Sequence, residues 1–117
     1  MTGPQNGDIP TEFTIKEIKT KLVKELLNIL VLIEMTKRES ISGYDIIDLV
    51  NQKFSEPLSP GTVYSTLYNI ERKGLIYGET DGIKTVYKLT EKGFMVVETL
   101  KKSKNQLADV CKKVYEL

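Results

Sequence analysis

Histidine and tryptophan are absent from this sequence of 117 residues, and cysteine occurs once. Without histidine, the chain lacks the side chain that most often serves as a general base or a zinc ligand near neutral pH. A single cysteine forms no internal disulfide, which fits a reducing compartment. The sequence also lacks a glycine-rich phosphate-binding loop and a nucleophile beside a recognisable base. These absences argue against an enzyme, a metal site and a cofactor site.

Long hydrophobic runs are missing as well. The most apolar stretch, residues 26–35, is interrupted by Asn28 and Glu34 and is far shorter than the roughly 20 residues that a transmembrane helix needs. Residues 1–10 have neither the basic start nor the apolar segment of a signal peptide. We therefore expect a cytoplasmic protein with no membrane partner.

Neither sign of charge dominates, because 17 basic and 16 acidic residues give a net charge of +1. This balance argues against a protein that coats nucleic acid without sequence preference, since such proteins are markedly basic. Residues 1–58 carry 7 basic and 9 acidic side chains, whereas residues 59–117 carry 10 basic and 7 acidic ones. The second half is therefore the better candidate for contact with an anionic partner.

The length suits one small domain, and its N-terminal part divides into two segments. Residues 1–13, rich in Gly, Pro and Asn near their start, are predicted to form a flexible arm. From Thr14 to Thr36, apolar side chains recur every three or four positions, which predicts an amphipathic helix. Residues 26–33 are apolar on nearly every side, so this helix needs cover from more than one direction.

Two shorter helices are predicted next. Residues 43–53 form the first of them, with Ser42 as its N-cap and Tyr44 in its buried stripe. Ser59 is the N-cap and Pro60 the first residue of the following helix, and Gly74 ends that helix as a left-handed C-cap.

The rest of the chain is predicted to contain a hairpin and a long helix. Residues 75–79 and 84–89 read as two strands joined by a turn at Asp81 and Gly82. Thr90 then caps one continuous helix over residues 91–117. The expected fold class is mainly α with a small β-hairpin.

Two short helices followed by a hairpin are the arrangement of a winged helix-turn-helix domain, assigned here to residues 14–90. The second helix of such a pair enters the DNA major groove, with the hairpin as a wing beside it. On residues 60–73, the side chains of Val63, Leu67 and Ile70 fall on one side and are expected to pack inward.

The opposite side of the same helix is polar. It presents Ser65, Tyr68, Asn69 and Arg72, with Thr62 and Lys73 flanking them. Asparagine and arginine can make bidentate contacts with adenine and guanine, and hydroxyl groups suit phosphates or bases. An ordinary solvated helix face is the alternative interpretation.

Three separate motifs resemble the PadR-type winged-helix transcriptional regulators, in their short form with a single C-terminal dimerisation helix. The motifs are GYDII at residues 43–47, LSPGTVYSTLYNIERKGLI at 58–76 and VYKLTEKG at 86–93. They occur in the family's order, and the resemblance spans residues 29–97. It implies a dimeric DNA-binding regulator with residues 60–73 as its recognition helix.

The resemblance adds positions to the candidate DNA interface. Tyr64 matches the start of the family's recognition helix, with half-buried packing as the alternative role, and Lys84 and Thr85 match its wing. The family often has proline at position 65, and its wing is commonly richer in arginine and lysine than this one. The expected DNA-binding residues are Ser59, Thr62, Tyr64, Ser65, Tyr68, Asn69, Arg72, Lys73, Lys84 and Thr85.

A heptad pattern runs along the predicted last helix, in steps of four and three residues without a slip. Such a stripe would leave a large apolar surface exposed on a monomer, which favours a homodimer. Packing against the chain's own first helix is the alternative. The expected dimer interface is Leu26, Leu30, Val96, Leu100, Ser103, Leu107, Val110, Val114 and Leu117.

The sequence therefore predicts a homodimer that binds a pseudo-palindromic operator in double-stranded DNA, as a repressor rather than an activator. A winged-helix dimer that binds another protein is the alternative function. Short relatives in this family can hold flat aromatic molecules between subunits, so the resemblance leaves open whether this protein also binds a small aromatic effector. Phe13, Phe94 and Met95 could line that pocket, or belong to the core. Cys111 is either a redox-sensitive thiol or a small buried interface residue.

Overall fold

The computed structural model describes residues 8–55 and 57–116. Most of the predicted arm (residues 1–7) and the last heptad position, Leu117, lie outside the described residues. A short 3₁₀ turn at Thr11–Phe13 precedes the regular elements. These elements are α1 (Ile15–Glu34), α2 (Gly43–Phe54), α3 (Pro60–Arg72), β1 (Ile76–Asp81), β2 (Lys84–Leu89), α4 (Glu91–Lys102) and α5 (Lys104–Val114).

The helix starts are set by side chains that accept hydrogen bonds from otherwise unpaired backbone N–H groups. Ser42 and Asp45 form a reciprocal capping box at α2. Ser59 accepts from the N–H of Thr62 at 3.2 Å to begin α3, and Thr90 does the same for α4. The N-caps predicted at positions 42, 59 and 90 are confirmed.

The end of α3 and the hairpin depend on two glycines with positive φ. Gly74 (φ 77°) follows the last residues of α3 as the C-cap signal indicates. The strand register pairs Asp81 with Lys84, so Gly82 and Ile83 form the two-residue loop. The turn predicted at Asp81–Gly82 is therefore displaced by one residue, because β1 extends through Asp81 and Gly82 (φ 68°) takes the first central position.

The hydrophobic core lies where α1, α2 and α3 meet, and the hairpin and α4 close it. Its largest fully buried side chains are Leu27, Val31, Ile41, Ile46, Val50, Val63, Leu67, Ile76 and Val97. Ile41 also exchanges two backbone hydrogen bonds with Tyr87, which attaches the segment before α2 to the hairpin. Among the described residues, no helix is both long and apolar enough to cross a membrane.

The placement of Tyr44 in the buried stripe of α2 is wrong. Its side chain is 71% exposed, whereas Ile46 and Val50 are fully buried. Position 44 precedes position 46 by two residues, which is about 200° around a helix and therefore on the opposite side. The buried phase of α2 is set by Ile46 and Val50, one turn apart.

The last helix is not continuous, contrary to the sequence prediction. It is divided at Ser103, whose N–H and hydroxyl both bond to the carbonyl of Leu100, at 3.1 and 2.8 Å. A serine hydroxyl that bonds back to a nearby carbonyl competes with the regular helical pattern. Val96 and Leu100, before the break, pack against the core, whereas every described residue of α5 is exposed.

Candidate nucleic-acid interface

Helix α3, the predicted recognition helix, packs on the domain through its apolar side. Val63 and Leu67 are fully buried and Ile70 is 2% exposed. This side packs against α1 and α2, so the opposite side of α3 faces outward. The division into an inward apolar side and an outward polar side is confirmed by this arrangement.

The outward side presents the predicted polar residues to solvent. Ser65, Tyr68, Asn69, Arg72 and Lys73 are all exposed. The guanidinium carbon of Arg72 lies 5.6 Å from the centre of the Tyr68 ring, a distance that allows a cation–π contact. This contact restricts the arginine side chain on the outward side of the helix.

The first turn of α3 combines capping with the predicted contacts. The Ser59 and Thr62 hydroxyl oxygens are 2.9 Å apart, and the Ser59 hydroxyl also accepts from the N–H of Thr62. Ser59 is exposed and Thr62 is partly buried. Both hydroxyls therefore hold the helix start, and each keeps further capacity to accept hydrogen bonds.

Tyr64 both packs within the protein and faces outward. Its ring lies over Gly43 at the start of α2, where an added Cβ would come within 2.5 Å of Tyr64 Cε1. The side chain is nevertheless 50% exposed. Half-buried packing is therefore observed, and the rest of the ring stays available at the outer surface.

An open concavity of about 510 Å³ lies between the wing and the N-terminal end of α2. Lys84 and Thr85 line it from the wing, and Tyr44 and Tyr64 line it from the helices. Sequence reasoning missed Tyr44 because it assigned that residue to the core. The helical periodicity of α2 could have found this residue, because it places Tyr44 on the opposite side of the helix from Ile46.

The charge of Asp45 is stabilised beside this concavity. The N–H of Ser42 donates to its carboxylate at 2.9 Å. This bond is the main reason that the pKa of Asp45 lies below its usual value of 3.8, with the Ser42 hydroxyl and the cations Lys84 and Arg38 adding to the effect. The carboxylate offsets part of the positive charge that Lys84 brings to the wing.

Two contacts fix the wing and reduce its negative charge. The Glu71 carboxylate on α3 accepts from the N–H of Gly78 at 3.0 Å. Lys88 forms an ion pair with Glu79 at 3.2 Å, and the hydrogen bond to Glu79 raises the pKa of Lys88. Ile83, in the loop between β1 and β2, is fully exposed. The tip of the wing is therefore an aliphatic side chain.

Five of the nine predicted dimer residues lie on two apolar surfaces, one on α5 and one on α1. On α5, Leu107, Val110 and Val114 are 45%, 57% and 74% exposed. On α1, Leu26 and Leu30 line a groove of about 400 Å³ together with Leu22, Val23 and Phe54, flanked by two lysines, Lys19 and Lys53. Ser103, Val96 and Leu100 are partly buried within the chain.

The remaining candidate residues are at the surface. Phe13, Phe94 and Met95 are 66%, 53% and 68% exposed, so their assignment to the core of the single chain is wrong. Cys111 is also exposed. In the ranges 8–55 and 57–116, no cluster of three or more potential metal-ligating side chains occurs.

A helix pair whose second member presents polar side chains outward, flanked by a hairpin, defines the winged-helix class of DNA-binding domains. The family model for PadR-like transcriptional regulators matches residues 29–99. The chain belongs to this family, whose members are DNA-binding regulators and not enzymes.

Solved structures of other regulators share the fold. The chain is similar to a PadR family regulator from Eggerthella lenta (24% identity, TM-score 0.71, covering 87% of this chain and 92% of that one). It is also similar to PadR family regulators from Clostridium difficile (26%, 0.67, 78% and 99%) and Bacillus cereus (22%, 0.69, 83% and 98%). No curated protein sequence matches this chain.

Proposed function

We propose that this protein is a sequence-specific repressor that binds a pseudo-palindromic operator as a homodimer in the cytoplasm. The outward side of α3 carries this proposal, because Asn69 and Arg72 are exposed next to each other on the element that enters the major groove. These side chains read adenine and guanine edges. Ser65, Thr62 and Tyr68 contact bases or backbone, and Lys73 and Lys84 contact phosphate.

The exposed apolar surfaces support the homodimer. Soluble monomers rarely expose contiguous apolar patches larger than a few hundred Å². The side chains of Leu107, Val110 and Val114 on α5 and of Leu26 on α1 are exposed apolar groups, and a second copy of the chain would cover them. A two-fold dimer then places its two α3 helices about 34 Å apart, one turn of DNA.

Repression is the simpler mode of regulation for this domain. A dimer that occupies a promoter blocks access to it without any further contact, whereas activation needs a surface that recruits the transcription machinery. A small aromatic effector would fit beside the dimer surface, where the apolar α1 groove lies. Binding there would compete with, or reshape, the contact between subunits.

The test begins with selection of DNA ligands from a random-sequence pool by the full chain. Binding of the selected duplex and of a scrambled duplex is then compared by fluorescence anisotropy across a salt series. We expect a two-fold symmetric motif, a preference of about 10³-fold or more, and a steep salt dependence.

The alternative function is a winged-helix dimer that binds another protein. The exposed groove of α1 and the aliphatic wing tip favour it, since neither feature is needed to contact phosphate. Selection that returns no motif, together with equal weak binding to both duplexes, would overturn the repressor proposal and favour this one.

A further inference from the structure

The end of the recognition helix is bonded directly to the start of α4. The Lys92 ammonium donates to the carbonyl of Lys73 at 3.0 Å. The Thr90 hydroxyl donates to the carbonyl of Gly74 at 2.6 Å, and the Thr90 N–H donates to the carbonyl of Leu75 at 3.0 Å. Three consecutive carbonyls after α3 are therefore held by the first residues of α4.

Gly93 brings the two backbones into contact at the same place. It is buried, and a Cβ at this position would collide with the carbonyl oxygen of Leu75 and lie 2.9 Å from Leu89 Cδ2. The first turn of α4 therefore rests on the connection between α3 and β1 with no intervening side chain. We call Thr90, Lys92 and Gly93, with the carbonyls that they contact, the α3–α4 junction.

The chemistry of the junction suits the end of a helix. The carbonyls of Ile70 and Glu71 already accept from the N–H groups of Leu75 and Gly74, so the first carbonyl that takes a partner from α4 is that of Lys73, at the negative end of the helix dipole. A cation is favourable at this end of a helix, and the Lys92 ammonium donates to the carbonyl of the α3 C-cap residue, Lys73. The junction therefore helps to fix the direction in which α4 leaves α3, together with the packing of α4 against α1 and β2.

We propose that the α3–α4 junction sets the distance and angle between the two recognition helices of the dimer, and so determines which half-site spacing the protein accepts. The inference rests on the proposed function, since it assumes that the helix leading into α5 joins the subunits. Lys92 and Gly93 are positioning residues here. They act through the orientation of α3 and leave the base contacts of each α3 unchanged.

The first test measures spacing preference with Lys92→Met. Anisotropy titrations use the selected operator, operators whose half-sites are moved by one base pair in either direction, and a single half-site. We expect the preference for the native spacing to fall about threefold to tenfold, while half-site affinity stays within about twofold of the unaltered chain. Lys102→Met, at the other end of α4, is the matched control, and Lys92→Arg is expected to restore the preference.

These titrations separate positioning from direct contact. If Lys92 touches DNA phosphate, Lys92→Met weakens all duplexes equally, including the half-site, and lowers the salt slope by about one. That result would overturn the proposal. An unchanged spacing preference in both Lys92→Met and Gly93→Ala would overturn it too.

A second measurement needs no DNA. A nitroxide label at Ser65→Cys, in a Cys111→Ser background, reports the distance between the two α3 helices of a dimer by pulsed electron resonance. We expect one narrow distance distribution, which broadens or shifts in Lys92→Met and Gly93→Ala but not in Lys102→Met. A narrow distribution unchanged by either variant contradicts the junction's role, whereas the absence of any dimer distance contradicts the proposed homodimer itself.

Discussion

The ring of Tyr64 on α3 lies against Gly43, the first residue of α2, so closely that a Cβ on the glycine would come within 2.5 Å of the ring. Gly43 is buried, while the ring is half exposed. The Tyr64 ring on α3 therefore packs directly against the backbone at the start of α2. Any side chain at position 43 would require the Tyr64 ring to shift.

Gly43→Ala should destabilise the domain, because its methyl group must displace the Tyr64 ring. We expect a loss of about 0.5–1.5 kcal/mol in the free energy of unfolding, the cost of holding the ring away from its preferred rotamer, measured by urea denaturation. Gly61→Ala is the control, since the nearest atom to its added Cβ is 3.9 Å away. A Gly43→Ala chain as stable as the Gly61→Ala chain would show that the ring moves aside at no cost.

Arg72→Ala should weaken specific operator binding by about 1–3 kcal/mol and relax the preference at one base pair of each half-site. The physical reason is the loss of a bidentate donor that the Tyr68 ring holds outward. Anisotropy with operators altered at single positions measures both effects. Arg38→Ala removes the same charge from a side chain paired with Glu34 at 3.3 Å, and we expect it to bind as the unaltered chain does.

Leu107→Glu should separate the dimer, because it places a charge in the apolar stripe of α5. We expect a shift from dimer to monomer in sedimentation velocity, and a larger loss of affinity for the full operator than for a half-site. Lys112→Glu changes charge at another exposed position of α5, outside the stripe, and should remain dimeric. A Leu107→Glu protein that still sediments as a dimer would place the interface elsewhere.

The stability of the domain should depend on pH through Asp45. Because the folded state lowers the pKa of this carboxyl below 3.8, its contribution is present above the unfolded pKa and is lost as pH falls through the folded one. Asp45→Asn keeps an oxygen that accepts from Ser42 but removes the charge. We expect its stability deficit, measured by urea unfolding, to be full at pH 6 and to shrink below about pH 4.

The matched control for this pH dependence is Asp48→Asn. That carboxylate is on the same helix, is exposed and accepts from the Gln52 side chain at 3.1 Å. A deficit of Asp45→Asn that stays constant from pH 6 to the acid limit would mean that the Ser42 bond does not discriminate between the charged and neutral carboxyl.

Ile83→Lys should strengthen operator binding if the wing tip approaches the DNA backbone. It replaces a fully exposed aliphatic side chain with a cation, so we expect the salt slope to increase by about one. Ile83→Gln separates polarity from charge. Equal affinities and slopes for all three proteins would show that the tip stays away from the duplex.

The features that the sequence predicted correctly depend on local physics. The caps at Ser42, Ser59 and Thr90 are decided by bonds that span three residues, and Gly74 ends α3 because it reaches positive φ without strain. The inward and outward sides of α3 follow from helical periodicity alone, so the exposed Asn69 and Arg72 could be placed without a structure.

The features that it missed depend on contacts between segments. The exposure of Tyr44 follows from which side of α2 meets the core. The displaced turn follows from the register between β1 and β2, since Asp81 has a strand partner in Lys84. The break at Ser103 lies where α4 leaves the core, and the apolar heptad pattern continues past it, so the serine at a heptad position is its only sign in the sequence.

The bond between the Glu71 carboxylate and the N–H of Gly78 has a consequence for redesign. A helix graft that moved only residues 60–72 into another winged-helix scaffold would separate Glu71 from the strand that donates to it, and would leave its carboxylate without that donor. Transfer of specificity therefore requires residues 60–78 as one segment, so that α3 keeps its hydrogen bond to β1.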